Sequence, residues 1–175
     1  EQGCGANPLC AACCLALPGS DRPRCPICAA PAPVAPDRCQ DCARLHPVLA
    51  STHAAADYCS PLAEAITALK FGRQLGLASG LGLLLARSLA QQWTSPADRV
   101  DTPVDCLVPI PLAAGRLSDR GFNQAEALFR DWASARWTWC DALQRLRPTK
   151  VQWQLRRDER TANVHDAFAV KETID

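Results

Sequence analysis

Methionine is absent from all 175 residues, and tyrosine occurs once. A chain without its initiator is expected to have a missing or processed start. Charge of one sign is also lacking. Lys and Arg number 19 against 18 Asp and Glu, a net charge of +1, so gross electrostatics select no class of partner. Residues 1–20 have neither a basic start nor a long apolar run, so no secretory signal is visible. The most apolar stretch, "LGLASGLGLLLARSLAQQW" at 75–93, is broken by Gly, Ser and Arg, which argues against a membrane span. Histidine is scarce, and His46, His53 and His165 lie far apart. Each reads as a surface residue rather than a metal ligand.

Cysteine is abundant instead. Eleven are present, and nine fall within the first 60 positions. An odd count with no visible signal fits poorly with a secreted disulfide scaffold. "CPICAAPAPVAPDRCQDC" (25–42) holds two Cys-x-x-Cys pairs separated by ten residues. This spacing suits tetrahedral Zn²⁺, because a two-residue gap forms a knuckle that aims both sulfurs at one ion. Cys25, Cys28, Cys39 and Cys42 supply a complete ligand set, with Cys4, Cys10 and Cys13 as weaker candidates. Zinc is favoured over a disulfide or a thioredoxin-like pair, since a redox pair should open a helix and these are bracketed by Pro and Gly. Reduced, metal-binding thiols lead us to expect the cytoplasm. Cys59, Cys106 and Cys140 read as buried apolar thiols.

Residues 1–46 are rich in Cys and Pro and show little apolar periodicity, so a structural metal would have to stabilise them. From residue 47 the pattern changes. "PLAEAITALKF" (61–71) has helical spacing ended by Gly72, and 75–93 reads as a second helix. "VDCLVPIPL" (104–112) reads as a buried strand closed by Pro109 and Pro111. "AAGRLSDRGFNQ" follows as a polar, turn-rich loop, and a helix is expected over 123–136. Residues 138–146 read as a second strand, and 147–170 as polar and loop-like with a helical start at "RRDERTAN".

Strand, cationic loop and helix make half of a βαβ unit, and ligands of open α/β sheets sit at such strand ends. Arg116 and Arg120 flank the loop, and Gly115 and Gly121 would let backbone approach a phosphate. A solvated basic surface is an equally good account of the loop. From Arg116 to Arg160 there are ten Lys or Arg against six Asp or Glu, nearly all the cations being Arg. Trp132, Trp137, Trp139 and Trp153 fall nearby. They could stack single-stranded bases, although core packing is the stronger expectation.

"VPIPLAAGRLSDRGFNQAEAL" closely resembles the ComF/GntX family signature VPxPLxxxRxxxRGFNQxxxLA. "YCSPLAEAITALKF" and "LRRDERTANVHDAFAV" resemble two further segments of that family, in the family's order, and the knuckles resemble its zinc ribbon. The resemblance implies an α/β protein: a zinc ribbon over 1–46, its first knuckle missing, then a type I phosphoribosyltransferase-like domain over 47–175 with a Rossmann-like parallel sheet. It implies a phosphate loop of Arg116, Arg120, Gly121, Phe122 and Asn123, and a mobile hood containing Lys150, Arg156, Arg160 and Asn163. For the complete protein it also implies a glycosyltransferase-type activity on phosphoribosyl pyrophosphate with Mg²⁺, in a protein of competence or of the use of DNA as nutrient. The partners implied are a phosphorylated ribose ligand, single-stranded DNA and the DNA-uptake machinery.

The family's phosphoribosyl-pyrophosphate loop, roughly VDDVxTTGxT, does not occur in this sequence. The domain is therefore expected to be C-terminally incomplete, inactive by itself and apolar on part of its surface. The alternative function is a non-catalytic module in which the ribbon and the Arg-rich loops bind single-stranded DNA. The acceptor substrate is left unnamed by the sequence.

Overall fold

The computed structural model describes residues 16–32, 38–92, 106–133 and 137–171. Among these residues the protein is mixed α/β, with six helices and two small two-stranded sheets. Cys4, Cys10 and Cys13 lie outside the described residues, as does most of the "PAPVAP" loop.

The helices are α1 (Gln40–Leu45), α2 (Leu62–Phe71), α3 (Leu77–Gln92), α4 (Ala114–Arg120), α5 (Gln124–Ala133) and α6 (Arg157–Val164). α2 and α3 fall where apolar periodicity places them. The C-cap of α2 is Gly72, whose N–H donates to Ala68 O, and a side chain there would crowd the Ala68 carbonyl. α3 packs chiefly on α5, and more lightly on α2. Leu62, Leu69, Ala78, Leu81, Leu84 and Ala127 form the core between them, with Leu17, which precedes the cysteine hairpin, joining it. Leu69 is almost fully enclosed, so its truncation to Ala should cost about 2–5 kcal/mol.

β1 (Cys106–Leu107) pairs in parallel with β2 (Thr138–Trp139), and β3 (Leu143–Arg145) pairs antiparallel with β4 (Phe168–Val170). The strand expected over 104–112 is thus a two-residue strand within the described part. Pro109 and Pro111 lack the N–H a ladder needs, so pairing stops before them. The described sheet is one parallel pair, short of a Rossmann-like sheet. Val108 and Ile110, just past β1, are exposed, as is the run Leu45, Val48 and Leu49.

Other features differ from the sequence reading, and the single strand expected over 138–146 is two short strands, β2 and β3, that belong to different sheets. The stretch expected as a loop contains α4, which starts after extended Ala113 and ends on Gly121 in the left-handed region (φ 84°). Cys59 is exposed and Cys106 and Cys140 are half-buried, so none is a buried thiol.

Candidate metal centre and cationic cleft

Cys25 and Cys28 sit at the tip of a miniature hairpin. A bridge between Arg24 and Pro31 closes it, and Cys25 N–H donates to Ala30 O while Ala29 N–H donates to Cys25 O. Ala29 takes the left-handed region (φ 57°), which an L-residue tolerates at some cost. Cys39 and Cys42 come from the start of α1, with Cys39 as its N-cap. This second pair does open a helix, the arrangement expected of a redox pair. The convergence of all four residues separates the cases, because their sulfurs lie within 4.8 Å of one another. Cys28 Sγ and Cys39 Sγ are 3.7 Å apart. Tetrahedral geometry with Zn–S near ~2.3 Å requires about 3.8 Å along each edge.

The electrostatics of the cluster favour a cation. Burial opposes ionisation of Cys25, but N–H groups of Cys39, Cys28 and Ile27 point at its sulfur and lower its pKa to about 6. The Cys39 N–H to Cys25 Sγ distance is 3.3 Å. Cys42 is pushed up to about 12, by burial first and then by the other three thiols. Four thiols this close cannot all ionise unless a cation offsets their charge. The donor set fits a structural metal of the zinc type. No histidine joins the cluster among the described residues.

The cysteine hairpin is fastened to the rest of the chain. Arg24, half-buried, donates to Ala29 O, Gly19 O and the Asp57 carboxylate, the last at 2.6 Å. Arg22 reaches the other Asp57 oxygen at 2.9 Å. Thr52 donates through its N–H to Pro26 O and through its hydroxyl to Ile27 O. One residue further on, His53 Nε2 lies 2.8 Å from Ser88 Oγ on α3.

A second site lies where α2, α4 and the segment after β3 meet. Lys70, Arg73, Arg116 and Arg120 line one open cleft of about 540 Å³ with Phe71, and Asp119 is its acidic member. Arg116 donates to Thr149 O at 2.7 Å, tying α4 to the segment before the 3₁₀ turn Gln152–Gln154. Arg73 donates to Asp119 O. Arg120 donates to Gln124 Oε1 and lies over the Phe71 ring, 5.7 Å from its centroid. Burial, and then Arg116, hold the Arg120 pKa below the usual arginine range. A guanidinium in that position gains from an anion.

The other loop residues have different surroundings. Gly121 N–H is taken by Leu117 O at 2.7 Å, so it closes α4. Phe122 packs against the helical core. Asn123 is buried, accepts from Ala125 N–H and donates to Ile110 O and Glu126 Oε1, which makes it the cap of α5. Lys150 and Asn163, from the expected hood, are joined by two 3.0 Å bonds between the Lys150 backbone and the Asn163 side chain. Arg156 caps α6, and its N–H donates to Glu159. Arg160 donates to Leu155 O and borders a second open pocket with Tyr58 and Trp153. Trp153 lines both pockets and is 70% exposed, against the expectation of core packing. The sequence reading did not single out Arg73, Gln152 or Tyr58. Only the fold brings Arg73 and Gln152 to the cleft and Tyr58 to the second pocket.

These features define a mixed α/β protein that carries a four-cysteine cluster and a separate cationic cleft. The DNA utilization protein YhgH of Escherichia coli O6:H1 is 32% identical over 167 residues, covering 93% of this chain and 71% of the relative. The protein of the same name from Escherichia coli K12 matches with the same identity and coverage. That of Salmonella typhimurium is 29% identical over 150 residues, 84% of this chain and 64% of the relative. The chain belongs to the family of the DNA utilization protein YhgH, the ComF-like family that its motifs resemble. No protein-family model matches the chain, and no solved structure does. No described helix is long and apolar enough to cross a membrane.

Proposed function

We propose that this protein serves in DNA utilisation, and that in its complete form the cationic cleft binds the phosphate groups of phosphoribosyl pyrophosphate. The observation that carries the reading is the meeting of Lys70, Arg73, Arg116 and Arg120 on one cleft, where Asp119 is the single acidic lining residue among the described residues. Arg forks suit bidentate phosphate contacts. On this reading residues 47–175 are phosphoribosyltransferase-like, with β1 and β2 belonging to its parallel sheet, and residues 1–46 are a ribbon holding structural Zn²⁺. Mg²⁺ would enter with the pyrophosphate, since that ion is usually held by one or two carboxylates plus substrate phosphates.

Calorimetric titration of the complete protein with phosphoribosyl pyrophosphate tests the reading. Arg120→Ala should weaken binding about tenfold to a hundredfold, the loss of one charge-assisted contact worth about 1.5–3 kcal/mol. Arg44→Ala, on exposed α1, should leave it unchanged. Equal and small effects would overturn the phosphate cleft.

Single-stranded DNA is the second reading. It is favoured by exposed aromatics beside cations: Tyr58, Phe71 and Trp153 all border these pockets with Arg120 and Arg160. Bases stack on aromatic faces while Arg meets the backbone. A steep fall of oligonucleotide affinity with salt, absent for the small ligand, marks that mode.

A further inference from the structure

Two buried side-chain atoms beside the cationic cleft lack the hydrogen bond that other buried polar side chains of the described residues make. Arg120 Nε and Gln152 Oε1 are both shielded from solvent and have no hydrogen-bond partner among the described residues. Both residues line the same cleft. A buried polar atom without a partner is costly, and the deficit is recovered when a ligand supplies the missing group.

The two atoms ask for opposite chemistry. The Arg120 guanidinium is held over Phe71, and its Nη1 is taken by Gln124, so Nε–H remains as a donor. A phosphate oxygen satisfies it. Gln152 is oriented by its own amide, since Nε2 donates to Arg160 O at 3.4 Å and this leaves Oε1 as the orphan. An amide oxygen only accepts, and so does an ionised phosphate. A fully ionised polyphosphate alone therefore leaves Gln152 unsatisfied.

Resting on the reading of the cleft as a phosphate site, we propose that Gln152 is a specificity residue that accepts a hydrogen bond from a hydroxyl of a phosphorylated sugar. It selects such a ligand over bare pyrophosphate. Because Oε1 is shielded, the ligand reaches it by shifting the 3₁₀ turn Gln152–Gln154. That turn contains no buried residue, and backbone bonds to Val151 O and Gln152 O hold it. Moving it exposes little apolar surface. Trp153 rides on the turn and reports the movement.

The experiment compares phosphoribosyl pyrophosphate with pyrophosphate on the full chain, in wild type, Gln152→Met, Gln152→Asn and Arg120→Ala. Gln152→Met keeps the length of the side chain and removes the acceptor. It should weaken phosphoribosyl pyrophosphate about three- to tenfold, the range for one neutral hydrogen bond, and leave pyrophosphate unchanged. Gln152→Asn keeps an acceptor on a shorter stem and should fall between wild type and Gln152→Met, which covers the case of a poorly folded Met variant. Arg120→Ala should weaken both ligands. Tryptophan fluorescence should change with phosphoribosyl pyrophosphate and less with pyrophosphate. Equal effects of Gln152→Met on the two ligands, or none on either, overturn the role of Gln152 while leaving the cleft standing. Failure of both ligands to bind wild type removes the phosphate cleft, and the specificity residue with it.

Discussion

Arg120 lies over the ring of Phe71 at 5.7 Å, and this contact joins the end of α2 to the end of α4. The ring is 65% exposed, so it serves as a platform at the cleft edge rather than as core. A cation over an aromatic face at such a distance gains about 0.5–1 kcal/mol at exposed sites. Phe71→Leu should therefore weaken phosphoribosyl pyrophosphate binding about two- to fivefold. Its thermal stability should stay close to wild type. A large drop in melting temperature with unchanged affinity would show Phe71 to be structural.

The four-cysteine cluster should hold about one zinc per chain, measured by elemental analysis under reducing conditions. Cys25→Ser should abolish loading, and Cys59→Ser, at an exposed position outside the cluster, should not. Cys42 has its pKa pushed up to about 12 by burial and by its neighbours, so it carries its proton at neutral pH without a metal. Loading must then release protons, and affinity must fall on acidification. Zinc titration in weak buffer with no release of acid would count against thiolate ligation.

Asp57 accepts from both Arg22 and Arg24, and Arg24 also holds the carbonyls of Gly19 and Ala29 beside the knuckle. Asp57→Ala leaves the half-buried Arg24 without its counterion. The expected loss is about 1–3 kcal/mol in chemical denaturation. Gly19→Ala should destabilise by a similar route: Gly19 has φ 73°, and a methyl group there would collide with the Asp57 carboxylate. Wild-type stability in both variants would show the cysteine hairpin to be loosely attached.

Asn123→Ala removes the cap of α5 and the bond to Ile110 O together. The cap alone is worth about 0.5–2 kcal/mol. Asn123→Asp retains the capping oxygen but loses the donor, and it places a carboxylate against Glu126. It should recover less stability at neutral pH than at acid pH, where protonation relieves the repulsion. Affinity for pyrophosphate that falls further than stability in Asn123→Ala would show ligand contact in addition to capping.

Local pattern was enough for several features. Cys-x-x-Cys spacing alone made a four-sulfur cluster the expectation, because each pair forms its own knuckle. Apolar periodicity placed α2 and α3 within a residue or two of their observed ends, since core burial and helix period coincide there. The polar stretch "RRDERTAN", expected as a helical start within a loop, is where α6 lies. Helix α4 was not legible. Gly115 and Ser118 are weak helix formers, and the helix is set by its tertiary ties, Arg116 to Thr149 and Arg120 to Phe71. β4 escaped notice too, because a three-residue strand shows no alternation and its partner is β3, far away in sequence.

The sequence by itself determined which chemistry is present: thiols at knuckle spacing, and a cluster of arginines between a strand and a helix. Tertiary structure decided which of these groups meet. It brought Lys70 and Arg73 from the end of α2 to Arg116 and Arg120, and it turned Asn123 inward as a cap. It also left Arg120 Nε and Gln152 Oε1 beside one cleft without partners among the described residues. The reason is physical. Spacing along the chain fixes contacts within a turn of helix or a knuckle, whereas a cleft built from segments far apart depends on how the helices pack.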